Sequence, residues 1–305
     1  MSDSIFCRQN NSFLLHCLVA QSSKYTAAKW WRFMREVSIF VLVVMSICSS
    51  IFDSEKLIAS AGLLAVVVSV LSKYIVKRIE GLKFCAAQLQ QYVDVSLYAP
   101  LVSNREADWG NVPNKVDVVE IVAPYKTIDV TSYKNWYRDY SSLSAESQIF
   151  YSQSENVRWS SKLHRYYRNV LIVIGVCVIL GVLVLLFLMN PSFVKVFCII
   201  SLLAPIVEYV ILTVKELNES IKSLDELWEL KGKVEKVLET DSTNTILNDL
   251  IEFQDKIFKQ RAQGFLIPDF VYKLFKSRFQ QQEDWIAENV QQLEGNTAIR
   301  RKYEY

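Results

Sequence analysis

Residues Val170–Met189 read VLIVIGVCVILGVLVLLFLM, a stretch with no charge, no amide, no hydroxyl and no proline. At 1.5 Å of rise per residue, a helix of this length crosses the ~30 Å hydrocarbon core of a bilayer. Three more runs share its character: Val37–Phe52, Leu57–Val76 and Phe193–Val214. Asp53-Ser54-Glu55-Lys56 joins the first two, and Asn190-Pro191-Ser192 joins the last two. Lipid offers no hydrogen-bond partner to a peptide group, so each run must be helical. The expected fold is an all-α integral membrane protein with four transmembrane helices arranged as two hairpins, 37–76 and 170–214.

The chain is 51% apolar and yet 22% charged, too many charges for a protein lying wholly in the bilayer. They fall outside the runs, in 1–36, 77–169 and 215–305. These three segments are expected to form an amphipathic N-terminal helix, a central region and a helical C-terminal region of one composite, mainly helical cytoplasmic part. Lys24, Lys29, Arg32 and Arg35 precede the first run, and Lys77, Arg78 and Lys83 follow the second. Arg158, Lys162, Arg165 and Arg168 precede the third, and Lys215 and Lys222 follow the fourth. The hairpin tips hold only Lys56 and Lys195. Basic residues favour the cytoplasmic side, so both termini are expected there. The opening Ser2-Asp3-Ser4, with no long apolar stretch before Val37, does not read as a cleavable signal.

Helical spacing extends each run into the polar segments. Phe13, Leu14, Cys17, Leu18, Gln21, Tyr25, Ala28 and Trp31 predict a helix over 12–35, with Trp30 and Trp31 at the interface. Helices are likewise predicted over 77–98 and 144–169. Residues 99–134 are the least regular, with Pro100, Pro113 and Pro124, and Val116–Val122 is their one candidate strand. In the tail, Asp241-Ser242 is a candidate N-cap for a helix over 243–262. Gly264 and Pro268 mark a turn, with Pro268 placed as the first residue of the last helix. The unit of amphipathic helix then hairpin occurs twice, with Gln21, Tyr25 and Lys29 echoed by Gln153, Trp159 and Lys162.

Much chemistry is not expected. A net charge of +2 argues against binding DNA or RNA duplexes. His16 and His164 have no zinc-ligand spacing, and no nucleophile elbow, Walker lysine or dinucleotide glycine motif is present. No enzymatic activity, metal or cofactor is therefore expected. The six cysteines, Cys7, Cys17, Cys48, Cys85, Cys177 and Cys198, lack paired spacing and read as reduced. Within the membrane runs, Glu208 three residues after Pro205 is a candidate for the permeation path, because a proline frees a carbonyl and an acid in lipid is costly. The bland alternative has Glu208 reaching the interface. Ser46, Ser49 and Ser50, and Ala61, Ala65 and Ser69, are candidate close-packing faces.

Several short motifs carry a resemblance. Arg8-Gln9-Asn10 opens the chain; Gln21, Tyr25, Ala28 and Lys29 precede the first run. Gln88 and Asp94 follow the second, and Trp136-Tyr137 lies in the central region. Gln153, Asn156, Trp159, Lys162, Leu163 and Arg165 precede the third, and Ile267-Pro268-Asp269 with Tyr272 and Lys273 starts the last helix. In this order the chain resembles the SMODS-associated four-transmembrane family of pore-forming effectors, which accompany bacterial nucleotidyltransferases that signal phage infection with cyclic oligonucleotides. Tyr92-Val93 before Asp94, and Ser160 after Trp159, depart from the family pattern.

The resemblance implies a homo-oligomer in the bacterial inner membrane. A cyclic di- or trinucleotide would bind its cytoplasmic part, and it would permeabilise the bilayer to cause abortive infection. Phosphates call for arginines and donors, and bases for aromatic faces. Arg8, Asn10, Trp136, Tyr137, Trp159 and Arg165 are the candidate ligand residues. Gln9, Gln21, Tyr25, Lys29, Gln153, Asn156 and Lys162 read as residues that hold the fold. The residues alone leave open a constitutive channel or transporter, and a scaffold that recruits a partner through the tail helices.

Overall fold

The computed structural model describes residues 4–52, 55–103, 107–189, 193–239 and 243–303. They form α1 (Ile5–Arg8), α2 (Ser12–Phe52), α3 (Glu55–Tyr98), α4 (Lys115–Val122), α5 (Ala145–Met189), α6 (Phe193–Glu239), α7 (Thr243–Gln263) and α8 (Asp269–Tyr303). No strand occurs among the described residues.

Short polar side chains start these helices. Ser4 accepts from the Cys7 amide at 3.3 Å, and Asn11 Oδ1 accepts from the Phe13 amide at 2.9 Å. Ser144 Oγ accepts from the Ser147 amide at 3.2 Å. Each satisfies a donor that the first helical turn leaves unpaired. The same device overturns the expected strand. Asn114 Oδ1 takes the Val116 amide at 3.0 Å, and residues 115–122 become α4. Val118 and Val122, four apart, are buried, while Val116 and Val119 face out. A valine-rich run has strand propensity, but here a cap and a one-sided core decide for helix. Pro268 also differs from expectation: it stands just before α8 and offers its carbonyl to the Val271 amide at 3.1 Å. The Asp241-Ser242 cap falls outside the described residues.

The four long helices have 41, 44, 45 and 47 residues, so the amphipathic segments and the apolar runs are continuous rods. α2 packs along α3, and α5 along α6. In the second pairing Gly175 lies against Val210, whose Cγ1 a Cβ there would meet at 3.3 Å.

The two ends of these rods differ sharply. At one end a core of Leu18, Leu89, Leu97, Phe150, Leu224, Leu250 and Phe253 is closed by α2, α3, α5, α6 and α7. Beside it a second cluster forms, in which Val271 and Phe279 of α8 pack against Leu163, Tyr167 and Leu217. At the other end Leu63, Val66, Val70, Val173, Leu183 and Phe187 are exposed, Phe187 at 86%. Apolar surface in water costs roughly 25 cal/mol per Å², so a surface of this extent demands cover. Among the described residues, the helices over Ala59–Val102 and Ala145–Leu188 are long and apolar enough to cross a membrane. The runs Val37–Phe52 and Phe193–Val214 lie partly on side chains outside the description, as do Ser46, Ser49, Ser50, Lys195 and Pro205. Glu208 is exposed on α6.

Candidate functional site

Under the amphipathic halves of the rods lies a buried polar network. Asp94 on α3 is its node. Its Oδ2 accepts from Arg261 Nη1 at 2.6 Å and from Gln254 Nε2 at 3.0 Å, both on α7. Its Oδ1 accepts from the Tyr137 hydroxyl at 2.5 Å, and that hydroxyl accepts from Asn156 Nδ2 at 3.0 Å. The Tyr137 backbone is clasped by Gln9, which accepts its N–H at 2.7 Å and donates to its carbonyl at 3.0 Å. Gln153 Nε2 donates to Gln254 Oε1 at 3.2 Å and to the Leu250 carbonyl at 2.9 Å. Asp94 and Arg261 have side chains 1% and 8% exposed. Burial alone would lower the Arg261 pKa, but the Asp94 carboxylate and the Tyr137 hydroxyl carry it above its ordinary value. Burial and the facing Asp94 charge raise the Tyr137 phenol.

Above this network opens a cleft of about 450 Å³, within the usual range of small-molecule sites. Its walls come from α2, the loop before α5, α5 itself, the end of α7, the Gly264–Pro268 turn and α8. Lys29, Lys134, Arg138, Arg261 and Lys276 line it, against two carboxylates, Glu155 and Asp269. Lys29 is held by Asp269 at 2.5 Å. Two aromatic pairs stand in its walls: Tyr133 stacked on Trp136 (6.5 Å, 16°) and Trp159 tilted against Tyr272 (5.8 Å, 43°). Burial raises the Glu155 pKa from 4.5 to about 7, against the opposing charge of Arg138 and with that of Glu283. Burial keeps His164 below its ordinary value, although carbonyls of Ser160 and Phe265 face its ring nitrogens at 2.7 and 3.2 Å.

Of the six residues named for the ligand, Trp136, Tyr137 and Trp159 meet at this cleft; Arg8, Asn10 and Arg165 do not line it. Tyr137 is nearly all buried and its hydroxyl is committed to Asp94. Asn10 pairs with Asn135 at 2.9 Å, and Arg165 forms an exposed ion pair with Asp225. Gln21, Tyr25, Lys29 and Asn156 do line the cleft. Gln9 and Gln153 serve the network, and Lys162 reaches Gln282 at 2.9 Å.

A family model described as the SMODS-associating 4TM effector domain matches residues 3–290. The chain belongs to this family. No curated protein and no solved structure matches it. Membership makes the chain an effector domain, and it carries the association with the membrane, with anti-phage defence and with cyclic-nucleotide signalling. In this effector domain, the motif residues Gln9, Asp94, Tyr137, Gln153 and Asn156 are joined by hydrogen bonds across the whole packed half.

Arg261, Glu155 and His164 were not legible as site residues. One signal was available for Arg261. Leu250, Gln254, Ile257 and Arg261 share a helical face, so two polar residues interrupt an apolar stripe and need buried partners.

Proposed function

We propose that the chain is a nucleotide-gated membrane effector. A cyclic oligonucleotide enters the cleft from the cytoplasm, the helices repack within a homo-oligomer, and the bacterial inner membrane becomes permeable. One observation carries this reading: the cationic, aromatic cleft is built on the same unbroken helices whose far halves expose apolar surface. The domain layout expected from sequence, with the hairpins 37–76 and 170–214 in the bilayer and both termini cytoplasmic, is part of this proposal. A ligand shifts such an equilibrium only by binding the open arrangement more tightly than the closed one.

Liposomes carrying the purified protein, challenged with a panel of cyclic di- and trinucleotides, test the proposal. Leakage triggered by one nucleotide is the expected result. Leakage without nucleotide would make the chain a constitutive channel, and none at all with inserted protein would make it a scaffold. Pro205 and Glu208 are proposed to line the permeation path. Glu208→Gln should alter conductance or ion preference in bilayer recordings, and unchanged currents would remove it from the path.

A further inference from the structure

Resting on the reading that this cleft takes a nucleotide, we propose that Arg261 anchors its phosphate and that the two aromatic pairs hold two planar bases. The ligand class is then two bases joined through a phosphodiester.

Arg261 presents two faces. Nη1 is spent on Asp94. Nη2 is buried and finds no protein acceptor among the described residues, and the side chain lines the cleft. A buried guanidinium donor without an acceptor is costly, and the planar fork of arginine suits two oxygens side by side. The carboxylate occupies one position, and a phosphate oxygen satisfies the other. Lys29, Arg138 and Arg261 face Asp269, Asp284 and Asp94. The remaining cations of the lining, Lys134 and Lys276, form no ion pair among the described residues and favour an anion there. Gln21 adds the complementary feature: its Oε1 is a buried acceptor without a partner among the described residues, suited to an N–H of a base. The Tyr133–Trp136 pair comes from the loop before α5, and the Trp159–Tyr272 pair joins α5 to α8. Aromatic faces bind bases with little dependence on their identity.

The placement also supplies a route for the signal. A phosphate on Nη2 shares a guanidinium with Asp94, whose other oxygen takes the Tyr137 hydroxyl. Ligand binding therefore tightens the node that joins α3, α7 and the loop before α5.

The test measures binding to the full chain in detergent. The probes are cyclic di- and trinucleotides, inorganic pyrophosphate and nanodiscs of anionic phospholipid. A cyclic dinucleotide is expected to bind. Arg261→Lys keeps a cation facing Asp94 but removes the second donor, and it should weaken that binding at least tenfold while still melting cooperatively. Trp136→Ala should weaken the dinucleotide and leave pyrophosphate unaffected. Wild-type affinity in folded Arg261→Lys would overturn the anchor while leaving the nucleotide reading intact. Equal affinity for pyrophosphate and dinucleotide would overturn the base platforms, and binding of anionic lipid alone would assign the phosphate to a headgroup and overturn the ligand class. Should Arg261→Lys not fold, hydrogen exchange of the wild type decides. Protection of residues 254–263 on adding dinucleotide supports the anchor, and bound ligand without that protection overturns it. A wild type that binds none of the nucleotides overturns the proposed function itself.

Discussion

Two clefts flank the Gly264–Phe265 turn, and Gln260 lines both. They are close in size, about 400 and 450 Å³, but not in electrostatic state. The first, nearer the apolar halves, sets Arg32, Arg35 and Lys83 against Glu80, Glu216 and Glu219. Arg32 bridges Glu36 and Glu216 at 3.0 Å each and lies 4.0 Å over the Phe265 ring. Lys83 donates to the Gln263 carbonyl at 2.9 Å. Its three cations and three carboxylates balance, and Arg32, Glu216 and Lys83 are engaged. The second has aromatic walls and two cations outside any ion pair among the described residues, Lys134 and Lys276. It also has both a buried donor, Arg261 Nη2, and a buried acceptor, Gln21 Oε1, without partners there, whereas the first leaves only the donor Arg35 Nε. Residue types alone, six charged side chains in the first and seven in the second, would hardly separate them. Net charge and aromatic walls, rather than the number of charges, separate a joint in the fold from a place for a ligand.

The largest expected effect lies beneath the second cleft. Asp94→Ala would strand the Arg261 guanidinium, and removing one member of a buried pair costs ~3–5 kcal/mol. Thermal melting in detergent should show a large loss, and a melt close to wild type would show that the network does not frame the cleft. Tyr137→Phe removes one hydrogen bond to the same charged node and should cost about 2 kcal/mol. A neutral result would detach the loop before α5 from that frame.

Glu155 offers a pH test. Its pKa is about 7 in the folded protein against an ordinary 4.5. Between these values the folded chain holds a proton that the unfolded chain releases, so stability falls as pH rises through that window. Glu155→Gln should stabilise the chain at about pH 8 by on the order of 1–2 kcal/mol, and change its stability far less near pH 5. An equal shift at both pH values would deny that ionised Glu155 is the cause. The smallest effects belong to exposed pairs. Glu216→Ala in the first cleft, and Asp225→Ala beside Arg165, should each cost about 0.5 kcal/mol or less. Both should leave nucleotide binding unchanged, and a loss of binding in either would erase the contrast between the clefts.

How much of this was legible in sequence follows from the range of each interaction. The long helices were readable because helical spacing continues from Phe13 through Trp31 and on into the apolar run. Val116–Val122 misled because valine's strand preference is weak beside a cap at Asn114 and a core waiting for Val118 and Val122. Trp136, Trp159 and Lys29 were picked out by motif, and the cleft brings them together. Arg8 and Arg165 drew notice by type but do not reach it. Arg261 went unnoticed because its meaning lies in its partner, 167 positions away.

By itself, then, the amino-acid order determined the helical rods, their pairing as two hairpins, and the division between apolar and charged stretches. Hydrophobic length, charge and capping act within a few residues, so a local reading captures them. Only the tertiary structure decided which polar groups satisfy one another and which remain open to a ligand. Asp94, Tyr137, Asn156 and Arg261 acquire their roles when distant segments are buried together, because in a low-dielectric interior the nearest oppositely charged neighbour governs each group.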